Sequence, residues 1–226
     1  MIRGALHLPR DQYRSMPWRN GSGVTLEIAR EPAVDSEFLW RLSLATVANS
    51  GPFSSYPGYQ RSVSLIAGNG FRLDIGGQEP AVLDSVGATA LFSGGAATGC
   101  TLIKGSSTDL SLIVREPGTI ISVTRIQDTA ARVVALPSDT VNAVFCLSDG
   151  ILLTLSGSAG PSSQARTEAK LTVHDTALLG PEAAELAVRP SSSTPLDLLV
   201  LTWTAAPSAT AFPYGSAVTR AMVKPS

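Results

Sequence analysis

Histidine and cysteine are nearly missing from this 226-residue chain, which has two of each: His7, His174, Cys100 and Cys146. The histidines lie far apart and neither has a soft ligand at metal-binding spacing, which argues against a zinc or iron centre. Their scarcity also starves a serine-hydrolase triad of its base, and no G-x-S-x-G elbow is present. His7 alternates with apolar neighbours in Leu6-His7-Leu8, and His174 follows Val173 in Val173-His174-Asp175, so both are expected to face solvent on strand-like segments. Each cysteine sits in an apolar, strand-like run, the setting of buried reduced thiols rather than of a secreted disulfide framework.

Charge is scarce as well, at 15% of residues with a formal net charge of -1, and the basic residues are scattered. The electrostatic footprint of a nucleic-acid binder is therefore absent. No apolar run approaches the roughly eighteen residues of a membrane span. The N-terminus carries Arg3, His7, Arg10 and Asp11 where a leader would need an apolar stretch, so the expected location is the cytoplasm, with no membrane partner. Gly21-Ser22-Gly23 is not followed by Gly-Lys-Ser/Thr, and it opens a strand where a phosphate site would want a helix N-terminus. No set of catalytic residues, metal ligands or cofactor-binding residues can be read from the chain.

What is abundant is alternation. With 44% hydrophobic residues the chain can bury a sizeable core, and short alternating runs recur with turn residues between them while helical periodicity is scarce. The pattern predicts an all-β protein built as two similar β units, each a sandwich or barrel. Strands are expected near residues 23–30, 40–47, 61–67, 71–75, 88–93, 99–104 and 110–115. A second series is expected near 119–126, 131–136, 141–147, 151–156, 169–174, 184–189 and 196–204. Pro117-Gly118 is the joint, which makes residues 1–117 one unit, 118–204 the next, and 205–226 a weakly structured tail. Gly68-Asn69-Gly70 reads as a hairpin turn. Short helical turns are expected near residues 10–14 and 181–184.

Three segments carry polar chemistry. Met16-Pro17-Trp18-Arg19-Asn20-Gly21-Ser22-Gly23 joins an aromatic, an amide and a glycine-rich bend to a strand that holds Thr25 and Glu27 on one face. It reads either as the lip of a binding site or as a plain bend. In Arg61-Ser62-Val63-Ser64-Leu65-Ile66-Ala67 the arginine shares the more apolar face, so it points inward or caps a barrel end. An inward guanidinium must be paired, and its planar fork suits a carboxylate. That carboxylate is either internal, Glu27 or Asp109, or belongs to a ligand. Arg41 and Ser43 lie opposite Trp40, Leu42 and Leu44, and so face water or a polar barrel interior. Before Arg61 comes Gly51-Pro52-Phe53-Ser54-Ser55-Tyr56-Pro57-Gly58-Tyr59, stiffened by two prolines. Its aromatics either plug a barrel end or wall a pocket.

Together these segments resemble the HutD/Ves family of bacterial proteins. The resemblance rests on the lip from Pro17 to Ile28, on Trp40-Arg41-Leu42-Ser43-Leu44-Ala45, on the loop and strand from Gly51 to Arg61, and on a block running from Phe92-Ser93-Gly94 to Arg115. The family pattern is close to PWKNGGGxTxEI, WRLSxAxV, GPFSxFPGxxR and a DFNLMxRR-like segment. It implies a bicupin-like fold of two β units in one chain, and it admits a homodimer. Members are associated with histidine utilisation and are thought to bind a small acidic metabolite, formylglutamate- or urocanate-like, and to moderate pathway output. Carried over by position, Asn20, Thr25, Glu27, Arg41, Ser43 and Arg61 fall on the recurring polar positions, and Trp18, Phe53 and Tyr56 on the aromatic ones. Here Arg19 stands for a lysine, Ser22 for a glycine, Tyr56 for a phenylalanine, and Leu110-Ser111 for an aromatic and an amide.

The leading expectation is a metal-free bicupin that binds a small carboxylate metabolite through these nine residues and regulates by sensing it. Two alternatives stand beside it. One is a metal-independent isomerase or lyase with Glu27 as base and Arg41 or Arg61 holding the carboxylate. The other is an interaction module presenting Phe53 and Tyr56 as an exposed patch.

Overall fold

The computed structural model describes residues 5–18, 23–32, 37–117, 119–157, 167–181 and 183–204. Apart from a 3-10 turn at Arg10–Gln12, every regular element among them is a strand. The chain divides into two compact units, one of residues 13–120 and one of residues 5–12 with 121–204. The start of the chain therefore departs from the expected 1–117 unit. Strand β1 (Ala5–Leu8) pairs with a strand of the later unit, where Ala5 joins the core. The Leu6-His7-Leu8 alternation is what lets it serve as an edge strand there. The expected tail, 205–226, lies outside the described residues.

The unit of residues 13–120 holds two sheets. The larger has the order β2 (Arg14–Pro17), β3 (Gly23–Pro32), β4 (Phe38–Val47), β11 (Ser107–Arg115), β6 (Tyr59–Gly68) and β9 (Thr89–Ser93). The smaller runs β5 (Gly51–Pro52), β10 (Thr98–Leu102), β7 (Phe71–Ile75) and β8 (Ala81–Leu83). Val63, Leu65, Phe71, Leu73, Leu83 and Phe92 form one apolar core between strands of both sheets. Each such side chain contributes about 1.5 to 3 kcal/mol on burial.

Gly68-Asn69-Gly70 is not a hairpin. It carries the chain from β6 in one sheet to β7 in the other, and both glycines have positive φ, +92° and +88°. A Cβ at Gly70 would lie 1.9 Å from the Leu83 carbonyl oxygen, so the corner accepts no side chain there. The glycine signal for a turn was legible, but whether two strands pair across a turn is a property of the whole sheet.

In the second unit one sheet has the order β1, β17 (Thr176–Leu179), β14 (Val141–Cys146), β19 (Leu196–Thr204) and β12 (Thr119–Asp128). The other runs β13 (Arg132–Ala135), β18 (Ala183–Pro190), β15 (Ile151–Gly157) and β16 (Thr167–Leu171). Leu153, Leu171, Leu186, Leu198 and their neighbours fill the core. Two expectations fail here. Ala183 begins a strand, so no helical turn forms across it. β16 ends at Leu171, and His174 lies beyond it in a turn with φ of +66°. Its ring stacks on Phe145 at 5.6 Å instead of standing free in solvent. His7 is the more exposed of the two, and its Nε2 meets Asp175 Oδ2 at 3.0 Å.

Candidate functional site

Antiparallel register lines residues into rungs across the larger sheet of the 13–120 unit, because directly opposed residues share a face. One rung is Met16, Thr25, Ala45, Asp109 and Leu65. The next is Glu27, Ser43, Ser111, Val63 and Ala90, and the third is Arg30, Arg41, Ile113, Arg61 and Phe92. The opposite face carries Leu42, Leu44, Leu110 and Leu112, all buried. Arg41 and Ser43 therefore point into a polar interior and not to water. Above these rungs lies a cavity of about 620 Å³, lined by Thr25, Arg41, Ser43, Arg61, Asp109 and Ser111. Its walls come from Met16, Pro17 and Trp18 on one side and from the 49–56 segment, including Phe53 and Tyr56, on the other.

Arg61 is 9% exposed. Its Nε donates to Ser111 Oγ at 3.3 Å and one terminal nitrogen reaches the Ser54 carbonyl at 3.5 Å. The guanidinium lies over the ring of Phe53 at 4.7 Å, with Phe92 at 5.7 Å and Tyr56 at 6.0 Å. Aromatic faces stabilise a cation without neutralising it. Among the described residues no acidic side chain comes within ion-pairing distance of Arg61. Burial pushes its pKa down from the ordinary value, and the field of Asp109 opposes that shift.

Asp109 is fully buried, and neither carboxylate oxygen has a hydrogen-bond partner among the described residues. Burial raises its pKa to about 7, against the pull of Arg61. The two charges thus influence one another without touching. Behind them Cys100 is buried and reduced in β10, its thiol pushed up to about 12 by burial and by Asp109. A second cation stands nearby. Arg41 donates to the Tyr56 hydroxyl at 2.8 Å and lies over the rings of Phe38 at 5.0 Å and Tyr56 at 5.3 Å.

The aromatic loop is held by backbone bonds. Phe53 N–H donates to the Thr98 carbonyl at 2.9 Å, and Tyr56 N–H to the Gly94 carbonyl at 2.7 Å. A Cβ at Gly94 would meet the Tyr56 carbonyl oxygen at 2.7 Å, so that close approach needs glycine. Phe53 and Tyr56 are half-buried and wall the cavity; they do not form an exposed patch. On the other side Trp18 Nε1 donates to Thr25 Oγ1 at 2.8 Å, and Trp18 N–H to the Gly23 carbonyl at 3.0 Å.

Of the nine residues singled out in the sequence, seven line the cavity: Trp18, Thr25, Arg41, Ser43, Phe53, Tyr56 and Arg61. Asn20 lies outside the described residues. Glu27 shares the Ser43 rung but does not line the cavity. Its carboxylate is turned to Arg30 at 3.7 Å and Arg14 at 4.0 Å. The register shift between Glu27 and Ala29 brings Arg30 round to that side. The isomerase or lyase reading thereby loses the base assigned to it, and Glu27 is no partner for Arg61. From the sequence Asp109 reads only as a counter-ion for Arg61, and Ser111 only as a departure from the family pattern. The alternation of Asp109 and Ser111 with Leu110 and Leu112 was the signal that both face the cavity.

The HutD family model matches residues 10–195. The chain belongs to the HutD family. Its relatives include an uncharacterized 21.2 kDa protein in the hutC 3' region of Pseudomonas putida, 43% identical over 110 residues. That match spans 48% of this chain and 57% of the relative. HutD from Pseudomonas fluorescens SBW25 (formate condition) superposes with a TM-score of 0.70 at 26% identity, covering 89% of this chain and 99% of that one. Oxalate decarboxylase from Lactobacillus farciminis, a bicupin, superposes with a TM-score of 0.64 at 8% identity, covering 88% and 86%. The last likeness is one of fold alone: this chain has an all-β, bicupin-like fold. Among its described residues no cluster of three or more His, Cys, Asp or Glu side chains could hold a metal ion, and no helix is long and apolar enough to cross a membrane.

Proposed function

We propose that this chain binds a small carboxylate metabolite in the Arg61 cavity, of the formylglutamate or urocanate type, and through it regulates histidine utilisation. The observation that carries the reading is Arg61 itself: buried, cationic, lining a 620 Å³ cavity, and with no acid at ion-pairing distance among the described residues. A buried unpaired charge is costly, and a bidentate carboxylate is the ligand its geometry suits. Arg41, on the same rung, adds a second positive charge facing the same space, which favours a dicarboxylate or an extended acid. The aromatic wall offers flat apolar surface to the body of such a ligand.

Thermal unfolding tests this with millimolar formylglutamate, urocanate, histidine and glutamate. A micromolar ligand at a thousandfold excess contributes about 4 kcal/mol, which raises the midpoint of a protein of this size by roughly 8 to 16 °C. The reading expects such a shift with one of the acids and its loss in Arg61→Ala. No shift with any of the four would overturn it.

A further inference from the structure

Asp109 is the group in the cavity that the carboxylate reading leaves unused. It is fully buried and lines the cavity, yet neither of its oxygens receives a hydrogen bond among the described residues. Native folds seldom leave a buried carboxylate with all its acceptor positions open. Ser111 accepts from Arg61 and Thr25 from Trp18, and neither hydroxyl is hydrogen-bonded to Asp109. The space these open oxygens face is the cavity, and what it holds can supply their donors.

Register gives the spacing. Asp109 and Arg61 are two rungs apart, roughly 13 Å along the strands at about 3.3 Å per residue. The Arg61 side chain reaches back one rung to Ser111, which narrows the gap between the two charged ends to the span of a small molecule. One end presents donors and positive charge; the other, in its ionised form, presents only acceptors.

We infer that Asp109 accepts a hydrogen bond from an N–H of the bound metabolite, so that the pocket selects carboxylates bearing an N–H, whether amide or imidazole, over carboxylates without one. The inference rests on Arg61 receiving the carboxylate. A site built to satisfy a buried polar group rejects an analogue that cannot supply the matching atom, because the group is then desolvated without a partner.

The test is calorimetric titration of wild type and Asp109→Ala with N-formylglutamate and with its ester isostere, O-formyl-2-hydroxyglutarate, in which oxygen replaces the N–H. Wild type is expected to bind the amide at least about tenfold more tightly than the ester, and Asp109→Ala to bind the two alike. Equal binding of both by wild type would overturn the inference and leave the Arg61 reading standing, as would a preference that survives in Asp109→Ala. Binding of neither compound by wild type would overturn the inference, while the Arg61 reading stands or falls on the unfolding test with the four acids. Should Asp109→Ala not fold, the amide-to-ester ratio in wild type decides alone.

Discussion

Arg61 Nε hydrogen-bonds Ser111 Oγ across the β6–β11 pair at 3.3 Å, and this contact aims the guanidinium along the cavity floor toward Asp109. The bond orients the arginine without spending its charge. Arg61→Ala is therefore expected to fold and to lose acid binding by a hundredfold or more, since losing a buried charge-assisted contact costs about 2 to 5 kcal/mol. Arg61→Lys should recover little, because an ammonium cannot form the planar two-point contact. Calorimetric titration with formylglutamate and urocanate measures both variants.

Asp109 makes stability depend on pH in an unusual direction. Its folded pKa of about 7 lies above the ordinary value of 3.8, so between those values the folded state holds a proton that the unfolded state has released. Stability is full below about pH 4 and falls as pH rises toward 7, by about 4 kcal/mol for a shift of this size. The charged group that acts on this carboxyl is the Arg61 guanidinium, which pulls its pKa down against burial. Asp109→Asn should be more stable than wild type at pH 8 and match it near pH 4. Denaturant midpoints across that range check the sign.

Asp175 does the opposite in the other unit. Its carboxylate accepts from the N–H of Arg10, the N–H and hydroxyl of Thr172, and the ring of His7, each at 3.0 Å. Burial works to raise its pKa, but those bonds together hold it below the ordinary value. Its contribution is present above about pH 4 and lost as pH falls through the lowered pKa. Asp175→Ala is expected to cost about 3 kcal/mol and to release β1 from the sheet edge. Urea melts, together with hydrogen exchange at residues 5–8, would show it.

Trp18 offers a direct optical readout of the cavity. The other two tryptophans, Trp40 and Trp203, are fully buried, at 1% and 0% exposure, whereas Trp18 lines the cavity wall. A ligand that enters should change indole emission in wild type and leave Trp18→Phe unchanged at equal occupancy, with occupancy measured by calorimetry.

Gly70→Ala should destabilise by at least about 2 kcal/mol, because positive φ and the Leu83 carbonyl at 1.9 Å from the added Cβ both oppose it. The unfolding midpoint reads this directly.

Much of this was legible in the chain. Period-two alternation located long strands because apolar and polar side chains take opposite faces, as with Leu110 and Leu112 against Asp109 and Ser111. Short strands escaped: Gly51–Pro52 and Ala81–Leu83 are too brief for a period to show, and Arg14–Pro17 ends in a proline that only an edge strand accepts. The site was legible as residue types, through Arg61 and the aromatic loop. Its contents were misjudged at Glu27, because a bulge one residue later changes what that carboxylate faces, and sequence carries no mark of it. Asp109 was visible as a charge in an apolar strand, but its lack of a partner is a fact of three dimensions.

The setting of Cys100 has a consequence for covalent reactivity. Urocanate is a conjugated acid whose double bond adds thiolates, and a nucleophilic cysteine near the cavity could consume it. Cys100 is buried, and its thiol is pushed up to about 12, so at neutral pH it stays protonated and inert. A conjugated acid resting against Arg61 would leave with its double bond intact.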